Sequence, residues 1–138
     1  MSSTTLQLWL VPSEPESATA VRQRLRTLLE PELPPWADDA VLVASEVVAN
    51  AVTHGEGPVR VHAYRSAGML RVEVSDVGAA LPERREAPTD AETGRGLLIV
   101  DALSAHWGVV EADPKPGKTV WFEMGTSTTS VAGLSSTG

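Results

Sequence analysis

A chain of 138 residues with 42% hydrophobic and 21% charged residues has the size and composition of one globular domain, which excludes wholesale disorder and a fibrous class. Its net charge of -7 argues against a binder of nucleic-acid backbone, which needs a basic face, and the absence of cysteine excludes disulfides, thiolate metal sites and cysteine nucleophiles. No basic-then-apolar leader and no run of eighteen apolar residues is present, so no membrane partner and a cytoplasmic protein are expected.

Leu6, Leu8 and Leu10 alternate with Gln7 and Trp9, the period-two signature of a half-buried strand over residues 4–11. Ser13 and Glu16 then have the spacing of a capping box, with Pro15 tolerated in a first turn. Val21, Leu25, Leu28 and Leu29 follow at helical spacing, so a first helix is expected to reach Glu30. Pro31, Pro34 and Pro35 end it. The apolar stretch from Trp36 to Thr53, stopped by His54-Gly55, is too long for a strand and predicts a second helix. Two alternating runs, Val59 to Ala63 and Leu70 to Val74, flank Ser66-Ala67-Gly68 and predict a hairpin.

From Val77 to Thr93 the chain has mixed charge, two prolines and no periodicity, the mark of a long functional or disordered loop. Gly96 to Leu103 predicts a short apolar helix, followed by strands at 105–112 and 118–124, the latter burying Val120, Phe122 and Met124. The uncharged Ser/Thr/Gly-rich stretch 125–138 predicts a disordered tail, leaving 1–124 as the domain. The order β-α-α-β-β-loop-α-β-β predicts an α+β fold: a two-layer sandwich with a five-stranded, mostly antiparallel sheet and three helices on one face.

The second helix carries the chemistry. At 100° per residue, Asp39, Glu46, Asn50, Thr53 and His54 fall in one narrow sector of an otherwise apolar helix. A carboxylate and a carboxamide one turn apart are costly to bury without partners, so the stripe is expected to face something polar. Plain solvent would serve, but both groups are hard oxygen donors suited to Mg²⁺, and Glu46 also suits a general base. Asp76, where the second hairpin strand meets the long loop, reads either as an Asx-turn or as an acceptor for a ligand's amino group. Gly94-Arg95-Gly96 before an apolar helix marks a simple turn or offers backbone N–H groups to phosphate. His54 is a helix-capping residue or a site residue; His62 and His106 are expected to be structural, and the three histidines lack zinc-ligand spacing.

Four strings occur in order: Ser45-Glu46 through Asn50 to His54-Gly55, Val74-Ser75-Asp76-Val77-Gly78, Gly94-Arg95-Gly96-Leu97 to Asp101, and Gly117-Lys118-Thr119-Val120-Trp121-Phe122. Together they resemble the Bergerat-fold ATPase superfamily of gyrase, histidine kinases and MutL, most closely its small anti-sigma-factor serine/threonine kinase branch, over roughly residues 5–124. The resemblance implies the Bergerat ATP-binding fold with ATP and Mg²⁺ as cofactors. Asn50 would ligate the metal, Glu46 would activate the attacking hydroxyl, Asp76 would accept from the adenine amino group and Thr119 would support the adenine pocket. It further implies that Gly78 begins a lid over 79–93, that Gly94 and Gly96 contact phosphates, and that His54, Arg95 and Leu97 belong to the cofactor site. The family's Asp-x-Gly-x-Gly is here Asp76-Val77-Gly78-Ala79-Ala80, without its second glycine. No phosphoacceptor-histidine hairpin precedes the domain, so a complete histidine kinase is not expected.

The function expected from this resemblance is an ATP-dependent regulatory serine/threonine kinase. It would phosphorylate a STAS-type anti-sigma antagonist, sequester a sigma factor as an anti-sigma factor in the alternative nucleotide state, and form a homodimer as its relatives would suggest. A non-catalytic ATP-dependent binding module is the alternative, and a stand-alone hydrolase a third reading.

Overall fold

The computed structural model describes residues 5–54, 57–76, 90–111 and 117–125, with the backbone alone for residue 54 and residues 90–96. The expected tail from 126 onward, Gly78 and the lid positions 79–89 lie outside the described residues. The chain order is β1 (Thr5–Val11), α1 (Glu16–Leu29), α2 (Ala37–His54), β2 (Val59–Ser66), β3 (Met69–Asp76), α3 (Asp90–Leu103), β4 (His106–Glu111) and β5 (Lys118–Gly125). The five strands form one sheet in the order β1-β2-β3-β5-β4. Every neighbouring pair is antiparallel, so the fold is α+β as expected, with the sheet wholly rather than mostly antiparallel among the described residues. None of the described helices is long and apolar enough to cross a membrane.

Alternation assigns the two faces of the sheet. Val59, Val61 and Ala63 of β2, Leu70, Val72 and Val74 of β3, and Phe122 and Met124 of β5 are buried and meet the helices. From α1, Val21, Leu25 and Leu29 enter the same core, and from α2 so do Val43, Ala44, Val47 and Val48. The intervening strand residues make an outer face that is polar at its centre. There the Arg71 guanidinium donates to Glu73 at 2.9 Å and Glu123 at 2.8 Å and lies 4.3 Å over the Trp121 ring. Burial alone would lower the Arg71 pKa, yet the hydrogen bonds to Glu73 and Glu123 hold it above its ordinary value. Burial first, then the charge of Glu73, pushes the neighbouring Tyr64 hydroxyl up. Gly108 on β4 leaves room for Trp121, because a Cβ there would come within 2.8 Å of the indole nitrogen.

Four expectations need correction. The β1 leucines do not enter the core: Leu6, Leu8 and Leu10 are 55%, 56% and 63% exposed on the outer face. Val11 pairs with buried Val59, which sets the odd-numbered residues inward and leaves the partly buried Trp9 to pack on the core. The capping box does not form, since Ser13 Oγ donates instead to the Val52 carbonyl of α2 at 3.4 Å, and α1 starts at Glu16 with Pro15 at its N-cap and no side-chain cap. Third, α3 starts at Asp90 rather than Gly96, and fourth, Gly125 is the last residue of β5 and not tail. The Gly125 φ of 76° is one that side chains rarely adopt, and a Cβ there would strike the Gly68 carbonyl and the Trp36 ring.

Candidate functional site

α2 is buried on almost every side. Its outward residues are Asp38, Asp39, Leu42, Ala49 and Thr53, with Glu46 and Asn50 half-buried among them. Spacing therefore placed Asp39, Glu46, Asn50 and Thr53 on the open face correctly, and it missed Leu42 and Ala49, which share that face. Leu42 is 41% exposed beside the carboxylate, an apolar element that the apolar background of the helix concealed. Neither Glu46 nor Asn50 has a side-chain hydrogen bond or ion pair among the described residues. His54 is the last helical residue.

The helix delivers these groups to one end of the sheet. α2 ends at His54, β2 begins at Val59, and its next residue, Arg60, pairs with Ser75. Asp76 therefore ends β3 at the same end of the molecule as the last turn of α2. It lies within the strand rather than just beyond it, and it shares the helix-side parity of the buried Leu70, Val72 and Val74. Like Glu46, it has no side-chain partner among the described residues.

Strand pairing sets Thr119 on a different face from Asp76. Asp76 stands opposite Lys118, and Ser75 opposite Thr119. Alternation puts Thr119 on the outer face, where its hydroxyl meets that of Ser75 at 2.8 Å, so it does not share the face of Asp76. Lys118 occupies that face instead. Sequence reasoning gave no role to Ser75 or Lys118, and the signal for both was strand register, which no single strand reveals.

Gly94, Arg95 and Gly96 lie one to two turns inside α3, not before it. Their amides are thus taken by the i→i−4 ladder, and the amides left free are those of the first turn, from Asp90. Leu97 is half-buried, and α3 packs along α2.

Of the remaining histidines, His62 stacks on Tyr64 at 6.2 Å on the outer face and His106 is exposed at the start of β4. Among the described residues no three His, Cys, Asp or Glu side chains gather as a metal site. A divalent ion at Asn50 would therefore complete its shell with phosphate oxygens and water, the usual manner of Mg²⁺. The amide oxygen of Asn50, unpartnered among the described residues, and the carboxylate one turn before it fit such an ion.

Residues 11–124 match the family model of the histidine kinase-like ATPase domain. Among solved structures the chain is similar to the RsbU and RsbW domains of Rv1364c from Mycobacterium tuberculosis, with a TM-score of 0.66 and 23% identity over 87% of this chain. It spans 32% of the length of that chain, and at this identity the likeness shows the fold. No curated protein matches it.

Proposed function

The chain belongs to the histidine kinase-like ATPase domain family, and we propose that it is an ATP-dependent regulatory serine/threonine kinase whose acceptor is a STAS-type anti-sigma antagonist. In the alternative nucleotide state it binds a sigma factor. The observation that carries the reading is the pair on α2: a half-buried carboxylate and carboxamide one turn apart, both without partners among the described residues, on a helix that ends at the same end of the sheet as Asp76.

In this reading Asn50 offers its amide oxygen to magnesium, and the bound ion would neutralise phosphate charge. Glu46 takes the proton of an acceptor hydroxyl. Asp76, acceptor-only when ionised, reads the adenine amino group, with Lys118 across from it and the Ser75–Thr119 hydroxyl pair tying its strand to β5. His54, the last residue of α2, and Gly78, which follows β3 in the sequence, belong to the nucleotide site, and Gly94, Arg95, Gly96 and Leu97 serve its phosphate end from the early turns of α3. Phosphoryl transfer asks mainly for positioning and charge neutralisation, so a docked partner presenting serine or threonine beside Glu46 completes the site.

The test is incubation of the protein with γ-labelled Mg-ATP and candidate antagonist proteins from the native cell. The expected product is an acid-stable phosphoester on the antagonist, formed faster than ATP is hydrolysed by the protein alone. An antagonist that binds only with ATP yet never gains label at stoichiometric protein would replace this reading with the non-catalytic binding module. Acid-labile label would exclude serine or threonine as acceptor.

A further inference from the structure

Among the described residues β1 is an edge strand of the sheet, and it lacks the usual guards of an edge. Its seven residues, Thr5–Val11, contain no charge and no proline, and they pair with β2 one to one without a bulge. The opposite edge, β4, carries Gly108 within it and Glu111 at its end. On the outer side of β1 the three leucines stand open. On its helix side α1 leaves a groove of about 310 Å³, lined by Gln7, Trp9, Gln23, Arg24, Thr27 and Leu28.

Charge selects the occupant. Among the described residues no carboxylate lines the groove and Arg24 has no ion pair, whereas Arg26 is held by Asp38 at 2.9 Å. A second copy pairing antiparallel through β1 would bring Arg24 of each copy onto the same side of the seam, like charge facing like. We propose that the β1 edge accepts an extended segment of a partner protein by strand addition, with acidic side chains toward Arg24 and apolar ones beside Leu6, Leu8 and Leu10. Backbone hydrogen bonds supply the general attraction and the alternating side chains the selectivity. The site is remote in sequence from Glu46, Asn50 and Asp76 and does not rest on nucleotide binding.

The probe is a seven-residue synthetic peptide of alternating valine and glutamate, titrated without nucleotide into isotope-labelled full chain and followed by amide chemical shifts and hydrogen exchange. A peptide with lysine in place of glutamate has the same alternation and serves as the control. Expected are shifts centred on Thr5–Val11 with slower exchange of alternate β1 amides, binding that weakens as salt rises, and at least about tenfold weaker binding of the lysine peptide. Arg24→Glu, on an exposed helix position, should keep the fold and invert the preference. Equal or absent binding of both peptides would overturn the proposal, as would shifts centred elsewhere. Shifts of β1 amides with protein concentration alone would also overturn it and make the edge a self-pairing surface.

Discussion

On α2 the unusual residues are polar, Glu46 and Asn50 among valines and alanines, whereas on β1 they are apolar, Leu6, Leu8 and Leu10 on a strand whose other face is closed by Trp9 and Val11. Both patterns repeat with the period of their element, yet only the helix could be oriented from its own sequence. An eighteen-residue helix with one narrow polar sector has only one sensible way to face its core. A seven-residue strand with apolar residues at both parities can face either way, and the choice falls to its neighbour. Open polar groups on an apolar helix and open leucines on a strand thus both mark surfaces, but for different ligands.

The largest expected effect is on the α2 side. Glu46→Ala should lower phosphoryl transfer roughly 10²–10⁴-fold with Mg-ATP binding nearly intact, and Asn50→Ala should weaken Mg-ATP binding itself. Leu8→Ala should leave both unchanged. Single-turnover transfer and calorimetric titration separate these outcomes, and an equal loss from Leu8→Ala would merge the two surfaces into one.

Next comes a test of exposure by matched substitution. Leu25→Ala removes a fully buried side chain on α1 and should cost about 2–5 kcal/mol in denaturant unfolding. Leu8→Ala, the same chemistry on a 56% exposed residue, should fall within about 0.5 kcal/mol of the parent. A cost for Leu8 as large as for Leu25 would mean that something covers the outer face of β1 in solution.

Base selectivity is a smaller effect and sharpens the role of Asp76. ATP should be preferred to GTP by at least about tenfold, from one mismatched contact worth on the order of 1–3 kcal/mol. Asp76→Asn should erode that preference, and unchanged selectivity in the variant would remove Asp76 from the base pocket.

The smallest effect concerns the tether behind Asp76. Ser75→Ala breaks the 2.8 Å hydroxyl pair with Thr119 on the outer face and should cost about 0.5–1.5 kcal/mol of stability. Thr119→Ala should cost a similar amount and leave ATP affinity largely unchanged. A steep loss of ATP affinity with Thr119→Ala would place that side chain in the pocket after all.

Local periodicity by itself determined the type and order of the eight elements, the length of α2, the hairpin of β2 and β3, and the polar sector that holds Glu46 and Asn50, because each of these is encoded within one segment. The motif strings determined the family. Tertiary structure decided what depends on two segments at once. Pairing with β2 turned the β1 leucines outward, and pairing of β3 with β5 set Lys118 rather than Thr119 across from Asp76. Packing of α3 along α2 lets the helix run through Gly94 and Gly96 from Asp90, although glycine at those positions reads locally as a break. The physical reason is common to all three: a strand's face and a helix's start are settled by contacts with other elements, which contribute more free energy than the local preferences they override.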